Sequence, residues 1–246
     1  MDGYDDTTYG RAFADVYDDW YAGVSDVDAT VTDLARLAGD GPVLELGVGT
    51  GRLAIPLAER APHLRVVGLD SSAEMLDRLR ARSRRPTVVV HEGDMVDDLP
   101  NGPFTLAFVA YNTIFNLLTA DRQRACFTSI AERLTPGGRF VVEAFVPDEP
   151  ARDGDRIEVR TLAADRVVLS ISRHDARAHR ADGQFVELTE TGGVRLRPWS
   201  IRYASPAELD AMASAAGLDV EHRWEAFGGA PFLASSPRHV TVYRRT

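Results

Sequence analysis

Residues 43–51 read Val-Leu-Glu-Leu-Gly-Val-Gly-Thr-Gly, and this stretch decides the fold. A short apolar run leads into three glycines at alternate positions, Gly47, Gly49 and Gly51. Glycines at this spacing let the backbone turn sharply and approach a flat ligand without interference from Cβ atoms. Because an apolar stretch with helical periodicity follows, the sequence predicts a strand, a glycine loop and a helix. This order of elements binds nucleotide-like cofactors in doubly wound sheets.

The spacing of the glycines distinguishes two kinds of cofactor loop. A dinucleotide-binding fingerprint requires Gly-x-Gly-x-x-Gly, whereas this chain has Glu-x-Gly-x-Gly-x-Gly, beginning at Glu45. Asp70 follows the next apolar run, nineteen residues after Gly51. An acid at the end of the second strand usually binds ribose hydroxyls in this architecture. The alternative interpretation of Asp70 is a helix cap.

Strand-like and helix-like stretches alternate from residue 28 to residue 145. Five apolar runs predict strands, at residues 43–46, 65–69, 87–90, 104–109 and 139–144. Five strands that alternate with helices indicate a parallel α/β sheet. Pro56 lies inside the predicted helix 52–60, where it favours a kink or a later helix start.

The pattern changes after residue 150. Apolar runs over residues 156–203 are separated by Asp182-Gly183 and Gly192-Gly193, which are hairpin turn signals. We therefore predict an antiparallel insert of three or four strands that roofs a pocket. The whole chain divides into an N-terminal helical lid, a cofactor-binding core, the insert and a segment that completes the core, at residues 1–40, 41–150, 151–203 and 204–246.

Charge and cysteine content limit the partners and the compartment. All 28 basic residues are arginine, and they face 37 acids, a formal net charge of −9. The first 50 residues hold eleven acids and two arginines, so they carry this whole negative charge and disfavour a nucleic-acid partner. No apolar run approaches the roughly 20 residues of a membrane span. The single cysteine, Cys126, fits a reducing cytoplasm.

Two more motifs follow in order along the chain. Glu92-Gly93-Asp94-Met95 comes after the third strand, and Leu134-Thr135-Pro136-Gly137-Gly138 precedes the fifth. With the glycine loop and Asp70, they resemble the ordered motifs of the class I S-adenosylmethionine (SAM) methyltransferases. The resemblance covers residues 15–146. It implies a Rossmann-like, seven-stranded sheet, mostly parallel with an antiparallel last strand, and SAM as the cofactor with S-adenosylhomocysteine as its product.

The same resemblance implies roles for individual residues at the cofactor. Gly47, Gly49 and Gly51 would line the methionine part of SAM, with Glu45 supporting the loop, and Asp70 would bind the ribose. The other implied cofactor residues are Asp94 and Met95 at the adenine, Ser71 and Met75 beside its ring, and Tyr17 and Ala110.

Tyr17-Asp18-Asp19-Trp20-Tyr21 resembles the Tyr-Asp-x-x-Tyr segment of small bacterial methyltransferases, including the amino-sugar N-methyltransferases. That resemblance implies a lid over the cofactor that also helps to form the acceptor pocket. Tyr17, Trp20 and Tyr21 share one helical face. Plain packing of these rings in the core is the alternative interpretation.

The predicted fourth strand ends in the stretch 110–116, Ala-Tyr-Asn-Thr-Ile-Phe-Asn. The carboxyl ends of parallel strands face the ligand crevice, so Tyr111 and Asn112 should lie near the transferred methyl group. The Asn/Asp-Pro-Pro-Tyr motif typical of nucleobase and glutamine methylases is missing here, which disfavours those acceptors. The candidate catalytic residues are Tyr21, Tyr111, Asn112 and Glu143, and the candidate substrate-binding residues are Trp20, Phe115 and Phe145.

We therefore expect SAM-dependent methylation at N or O of a small specialised metabolite, such as an amino sugar or a modified peptide. Two alternatives stay open. One is methyl transfer to a protein or RNA, and the other is a SAM-binding cyclase or regulatory binder, because function resides in sites rather than folds. No pair of side chains has the spacing of a metal site, so we expect no metal. A homodimer contact through the insert is a further expectation.

Overall fold

The computed structural model describes residues 1–5, 7–83 and 87–246. Its helices are α1 (Thr8–Phe13), α2 (Tyr17–Tyr21), α3 (Val27–Ala38), α4 (Ala54–Arg60), α5 (Ala73–Arg82), α6 (Ala120–Arg133) and α7 (Pro206–Ala215). Its strands are β1 (Val43–Leu46), β2 (Val66–Asp70), β3 (Val88–Glu92), β4 (Phe104–Val109), β5 (Leu134–Phe145), β6 (Gly154–Leu162), β7 (Arg166–Asp175), β8 (Arg180–Thr189), β9 (Gly193–Arg202), β10 (Leu218–Ala226), β11 (Ala230–Pro231) and β12 (Arg238–Arg245). Across these described ranges, no helix has the length and apolar character of a membrane span.

The main sheet has the strand order β11-β10-β12-β5-β4-β1-β2-β3. Strands β1 to β5 pair in parallel, β12 runs antiparallel to β5, and β10 runs antiparallel to β12. The expected mostly parallel sheet with an antiparallel last strand is confirmed. Within the described part of the chain this sheet has eight strands rather than seven, because the two-residue β11 pairs with the outer edge of β10.

Strand β1 is buried at all four positions, as a strand covered on both faces must be. Leu44 and Leu46 belong to one apolar cluster, which includes Phe127 of α6. Val43 belongs to a second cluster, which includes Leu34 of α3. The sheet is therefore the middle layer of three, and its carboxyl edge is left to carry the glycine loop.

Helix α4 begins at Ala54, two residues later than the sequence predicted. Pro56 is therefore the third residue of the helix. The first turn of a helix has no intrahelical acceptor for its N–H groups, so a proline there removes no hydrogen bond. The later start, and not a kink, accommodates Pro56.

The insert is a separate four-stranded antiparallel sheet in the order β6-β7-β8-β9, which confirms the expected β insert. The predicted turn at Asp182-Gly183 is wrong, because both residues lie inside β8. Gly183 faces Trp199 on β9, and a Cβ atom on Gly183 would lie 2.3 Å from the indole ring. The glycine makes room for the ring. Gly192 does lie in the β8–β9 connection.

The N-terminal helices lie between the main sheet and the insert. A Cβ atom on Gly10 of α1 would lie 2.2 Å from Ser72 Cβ, so α1 packs directly on the start of α5. Phe13 is fully buried and meets Phe185 of β8 edge to face at 5.8 Å. The division of the chain into four segments stays a prediction, but this placement puts residues 8–21 where a lid would lie.

Candidate functional site

The glycine loop lies at the carboxyl end of β1. Gly47, Gly49 and Gly51 have φ angles of 64°, 54° and 79°. These angles fall in the left-handed region, which side chains other than glycine rarely adopt. A Cβ atom on Gly49 would point into the open crevice, whereas one on Gly51 would lie 2.8 Å from Ile55. Gly49 thus leaves the ligand surface free of a side chain, and Gly51 allows the loop to pack on α4. Gly47 makes room for Thr113, because a Cβ atom on Gly47 would lie 2.4 Å from the Thr113 methyl group.

Asp70, at the end of β2, holds this loop in place. Its Oδ2 accepts a hydrogen bond from the Gly49 N–H at 2.8 Å, and its Oδ1 accepts one from the Ser72 N–H at 2.9 Å. Burial raises the pKa of Asp70. The N-cap of α5 is Ser72, whose Oγ accepts from the Met75 N–H, so Asp70 is not the cap. Its carboxylate joins the loop to the next strand at the crevice floor.

The crevice beside the loop collects most of the residues that the resemblance implied. Eight of the eleven predicted cofactor residues line it: Tyr17, Gly47, Gly49, Asp70, Ser71, Met75, Asp94 and Met95. Ala110 is buried behind the crevice in the core, and Gly51 faces α4. The sequence analysis assigned no cofactor role to the remaining lining residues, which are Tyr4, Tyr9, Gly10, Gly93, Thr113, Asn116 and Leu117.

Glu45 lies in β1, just before the loop, and is 4% exposed. Its Oε2 is buried and has no hydrogen-bond partner among the described residues. Burial raises the pKa of Glu45 to about 8, although Arg52 opposes the shift. A buried carboxyl group that lacks hydrogen-bond donors can ionise and pair with a positive charge that comes close to it.

Asp94 lies in a tight turn at the wall of the crevice. Its Oδ1 accepts hydrogen bonds from the Val96 and Asp97 N–H groups, at 2.7 and 2.9 Å, which makes a tight turn. The same oxygen accepts from Arg122 of α6 at 2.6 Å. The turn and the ion pair fix Asp94 at the crevice wall.

A second cavity, of about 280 Å³, adjoins the crevice under the insert. Four tyrosines from three segments line it: Tyr9, Tyr17, Tyr21 and Tyr111. The Tyr9 hydroxyl donates to the Tyr21 hydroxyl at 3.2 Å, and the rings of Tyr21 and Tyr111 meet edge to face at 5.5 Å. We call this space the tyrosine cavity. It shares Tyr9, Tyr17, Thr113 and Asn116 with the crevice, so the two spaces meet.

Three of these tyrosines, Tyr9, Tyr17 and Tyr111, are neutral at ordinary pH. Burial raises the pKa of Tyr9 and of Tyr111, and it raises the pKa of Tyr17 to about 12. These side chains therefore present hydroxyl groups and aromatic ring faces. They are not phenolate bases.

Tyr111 and Asn112 both have positive φ angles, 48° and 66°, a strained backbone that is common at functional sites. Glu143 stabilises it, because its Oε2 accepts from the Tyr111 N–H at 3.0 Å. Asn112 Oδ1 accepts from the Phe145 N–H at 2.7 Å. Burial raises the pKa of Glu143. Tyr21, Tyr111 and Asn112 line the tyrosine cavity, whereas Glu143 lies behind Tyr111 and holds it.

The three candidate substrate residues separate in the structure. Phe145 lines the tyrosine cavity. Phe115 is fully buried beneath it, at 5.0 Å from the Phe145 ring. Trp20 packs away from the cavity, under the Arg160 guanidinium at 4.6 Å. The alternative interpretation of core packing therefore describes Trp20, although it shares α2 with two cavity tyrosines.

Two arginines at the site were missed from the sequence. Arg52 follows the glycine loop, lies 5.9 Å from the centre of the Tyr111 ring and donates to Ser25 at 2.6 Å. Arg160 extends from β6 into the wall of the tyrosine cavity. Arg52 could have been found from the sequence, because it directly follows Gly51. Nothing in the sequence distinguishes Arg160 among the 28 arginines.

Side-chain bonds tie the N-terminal helices to both sides of the site. Asp18 Oδ1 accepts from the Thr50 hydroxyl in the glycine loop at 2.6 Å and from Arg82 of α5 at 2.7 Å. On the other side, Asp15 accepts two hydrogen bonds from the buried Arg197 of β9, at 2.6 and 3.0 Å. Residues 8–21, which we call the cover, are thus bonded to both sides of the site and contribute to the lining of both spaces.

The glycine loop, the acid at the end of β2 and the antiparallel last strand define a class I methyltransferase. The methyltransferase domain family matches residues 43–138. Over 208 residues, 82% of each chain, the protein is 31% identical to the cypemycin N-terminal methyltransferase of a Streptomyces species. It is 30% identical over 220 residues to the dTDP-3-amino-3,4,6-trideoxy-alpha-D-glucopyranose N,N-dimethyltransferase of Streptomyces venezuelae. That alignment covers 85% of this chain and 91% of the relative.

Among solved structures, the CcbJ methyltransferase from Streptomyces caelestis is 42% identical, with a TM-score of 0.91. The match covers 99% of this chain and all of that one. The protein belongs to the SAM-dependent methyltransferases, and SAM is its cofactor. The crevice fits that cofactor, because Gly49 leaves its floor free of a side chain and Asp70 places a carboxylate there.

Proposed function

We propose that this methyltransferase transfers the methyl group of SAM to a nitrogen atom of a small specialised metabolite. The observation that carries the proposal is the meeting of two spaces, the cofactor crevice and the tyrosine cavity, at Tyr9 and Tyr17. An acceptor in the tyrosine cavity would face the cofactor across these rings. The relatives named as an N-terminal methyltransferase and an amino-sugar N,N-dimethyltransferase support nitrogen over oxygen.

For the cofactor, we propose that Asp70 binds the ribose and that Gly47 and Gly49 lie against the methionine part. Asp94 and Met95 would contact the adenine, with Ser71 and Met75 beside its ring. Tyr17 would lie over the cofactor. Glu45, Gly51 and Ala110 would shape and support the loop from behind, since they do not line the crevice.

SAM supplies a methyl group that is already activated on a sulfonium sulfur. The chain must therefore orient the acceptor nitrogen in line with that methyl group, and orientation alone can supply much of the rate. The nitrogen gains positive charge as it is methylated. Tyrosine ring faces stabilise such a charge by about 0.5–2 kcal/mol each. A cavity lined by four tyrosines suits an amine better than an alcohol.

We propose that Tyr21 and Tyr111 contact the acceptor and that Asn112 and Glu143 position Tyr111. A base is needed only if the amine arrives protonated. We therefore propose that the acceptor reacts as the free amine and that the proton lost from the methylated nitrogen passes to solvent. Phe145 would form the apolar wall, and Phe115 would support Phe145 from the core.

The test offers paired acceptors that differ only in the reacting atom, such as benzylamine and benzyl alcohol. Product masses and release of S-adenosylhomocysteine are measured for each pair. We expect methylated amines and unchanged alcohols, and Tyr111→Phe should retain activity better than Tyr111→Leu because the phenylalanine ring keeps an aromatic face. Methyl transfer to alcohols alone would contradict the choice of nitrogen. SAM binding without any methyl transfer would point to the non-methylating class.

We also propose a homodimer through the outer face of the insert sheet. One row of this face crosses all four strands as Val159, Leu169, Val186 and Leu196. Val159 and Leu196 are 62% and 60% exposed. An uncovered apolar sheet face of this kind usually marks an interface.

A second copy of this chain fits the face in area and charge. Four strands of nine or ten residues cover roughly 600 Å² at normal strand spacing. A standard interface buries about 800 Å² per partner. Because this row is aliphatic, two copies related by a twofold axis would bring no like charges together there.

Light scattering after gel filtration tests the dimer. The wild-type protein should have twice the chain mass of 26.9 kDa. Leu196→Glu should be monomeric, whereas Leu233→Glu should stay dimeric, because Leu233 is equally exposed but lies outside the insert sheet. A monomeric wild-type protein at micromolar concentration would contradict the proposal.

We further propose that the enzyme acts in the cytoplasm and has no nucleic-acid partner. The buried free thiol of Cys126 and the net charge of −9 support these two points.

A further inference from the structure

The wall of the tyrosine cavity carries charge of one sign. Among the described residues that line it, Arg160 alone is charged, and the others have aromatic, aliphatic, amide or hydroxyl side chains. Arg160 is exposed as well as part of the lining, so it lies where the cavity opens. No carboxylate in the described part of the chain forms an ion pair with it. The mouth of the cavity therefore holds a positive charge that these residues do not neutralise.

Aromatic rings hold the Arg160 guanidinium in place. It lies 4.6 Å from the centre of the Trp20 ring, 5.1 Å from that of Phe185 and 5.6 Å from that of Tyr21. Its Nη2 donates a hydrogen bond to the Trp20 carbonyl at 3.3 Å. Ring contacts orient a guanidinium but leave its charge in place, and the planar group has further N–H donors. The fixed guanidinium can therefore bind a ligand at a defined position.

The guanidinium lies near the rings that we assign to the acceptor. Tyr21 contacts Arg160 and also meets Tyr111 edge to face at 5.5 Å. Burial raises the pKa of Tyr111, and the positive charge of Arg160 opposes this rise. The charge thus acts across the cavity. A molecule whose amine lies at Tyr111 would have its other end within reach of Arg160.

A cation at this place limits the chemistry of that other end. An apolar group would remove water from the guanidinium without replacing its hydrogen bonds, which is costly. A second ammonium group would be repelled. A carboxylate or a phosphate fits best, because its oxygens accept two parallel N–H bonds from the planar fork and its charge is opposite.

We propose that Arg160 binds an anionic group of the acceptor, so that the substrate is an amine that also carries an acid. The inference rests on the proposed N-methylation, because the amine would lie at Tyr111 while the acid pairs with Arg160. Carboxylate and phosphate share the chemistry that Arg160 recognises. The charge at the far end of the acceptor, and not only its amine, then determines the specificity of the enzyme.

The test compares three amines that differ in one group: 4-(aminomethyl)benzamide, 4-(aminomethyl)benzoate and 4-(aminomethyl)phenylphosphonate. KM is measured by release of S-adenosylhomocysteine, and Kd by calorimetry with S-adenosylhomocysteine present. For the wild-type protein, the acids should have KM and Kd values at least about tenfold below those of the amide, as expected for hydrogen bonds between charged groups. An advantage for only one acid would support the anion subsite and identify its anion.

Arg160→Gln removes the charge and should reduce the preference for acids to less than about threefold, a loss of most of the charged hydrogen bonding. Arg160→Lys keeps the charge without the planar fork and should retain part of the preference. Arg156→Gln is the matched control, because Arg156 lies on the same strand but lines neither the crevice nor the tyrosine cavity. It should keep the full preference. The ratio of acid to amide within each variant is compared, so a general loss of activity does not imitate the result.

Equal values for the amide and both acids in the wild-type protein would overturn the anion subsite. A preference that survives Arg160→Gln, or that Arg156→Gln abolishes equally, would overturn it as well. N-methylation would stand in each of these cases. Absence of methyl transfer to all three amines would instead overturn N-methylation, and the calorimetric comparison would then still show whether Arg160 binds an anion.

Discussion

Glu45→Gln should remove the pH dependence that the buried carboxyl group imposes on stability. Burial raises the pKa of Glu45 from 4.5 to about 8. Between these values the folded chain keeps the proton while the unfolded chain releases it. Because the folded state then binds more protons, the free energy of unfolding falls as the pH rises. Each pH unit between the two pKa values lowers the free energy of unfolding by about 1.4 kcal/mol, and the whole interval lowers it by roughly 3–5 kcal/mol.

A glutamine side chain resembles the protonated acid and does not ionise, so the variant escapes this loss. Urea unfolding at pH 5, 6, 7 and 8 gives the free energy of unfolding of both proteins. The two values should nearly agree at pH 5 and diverge steadily toward pH 8, with the variant more stable. The difference between the proteins isolates Glu45 from the other titrating groups. Parallel curves across this range would refute the reasoning.

The cofactor provides the second half of this test. SAM carries positive charge, so its binding should favour ionised Glu45 and release a proton near pH 7. The affinity of the wild-type protein for SAM should then rise with pH, and calorimetry in buffers of different ionisation enthalpy should detect the proton. Glu45→Gln should show neither effect. Equal proton release from both proteins would place the titration elsewhere.

Three further substitutions test the loop, the cover and the insert. Asp70→Ala removes the acceptor of two backbone hydrogen bonds and the proposed ribose ligand. Each hydrogen bond to the carboxylate is worth about 1.5–3 kcal/mol, so calorimetry should show SAM binding weakened tenfold or more. Unchanged affinity would exclude the ribose role. Asp18→Ala removes the hydrogen bonds to Thr50 and Arg82. The amide hydrogens of residues 8–21 should then exchange faster and kcat should fall, while Tm changes little. Unaltered exchange would show that these bonds do not hold the cover. Gly183→Ala forces a Cβ atom against Trp199 and should lower the free energy of unfolding by about 1–3 kcal/mol, measured by thermal unfolding. Gly23→Ala is the control, because a Cβ atom on Gly23 would lie in open space, and it should leave stability unchanged. Equal effects would argue against the packing of Gly183 on Trp199.

The cofactor side of the site could be predicted because its signals are local. The spacing from Glu45 to Gly51 fixes a backbone path, and Asp70 follows at the end of the next strand. Both features depend on short stretches whose geometry the residues themselves determine. The fold class follows from them, and eight of the eleven residues that the resemblance placed at the cofactor line the crevice.

The acceptor side could not be predicted to the same degree. Tyr9, Tyr17 and Tyr111 come from separate segments, and only the packing of α1 and α2 against the insert brings them together. The turn predicted at Asp182-Gly183 is wrong for the same reason, since a contact with a distant residue decides the local structure there. Local turn preference favours a bend there, but the cross-strand ring of Trp199 requires a glycine inside a straight strand.

Because α1 and α2 form walls of both the crevice and the tyrosine cavity, the order of events in a catalytic cycle is constrained. We predict that the cover opens to admit SAM and then closes on the glycine loop, and that this closure completes the acceptor cavity. The enzyme should therefore follow a compulsory order, with SAM first and S-adenosylhomocysteine released last. Steady-state inhibition by S-adenosylhomocysteine should be competitive with SAM and noncompetitive with the acceptor, and a random-order pattern would mean that the cover opens independently over each space.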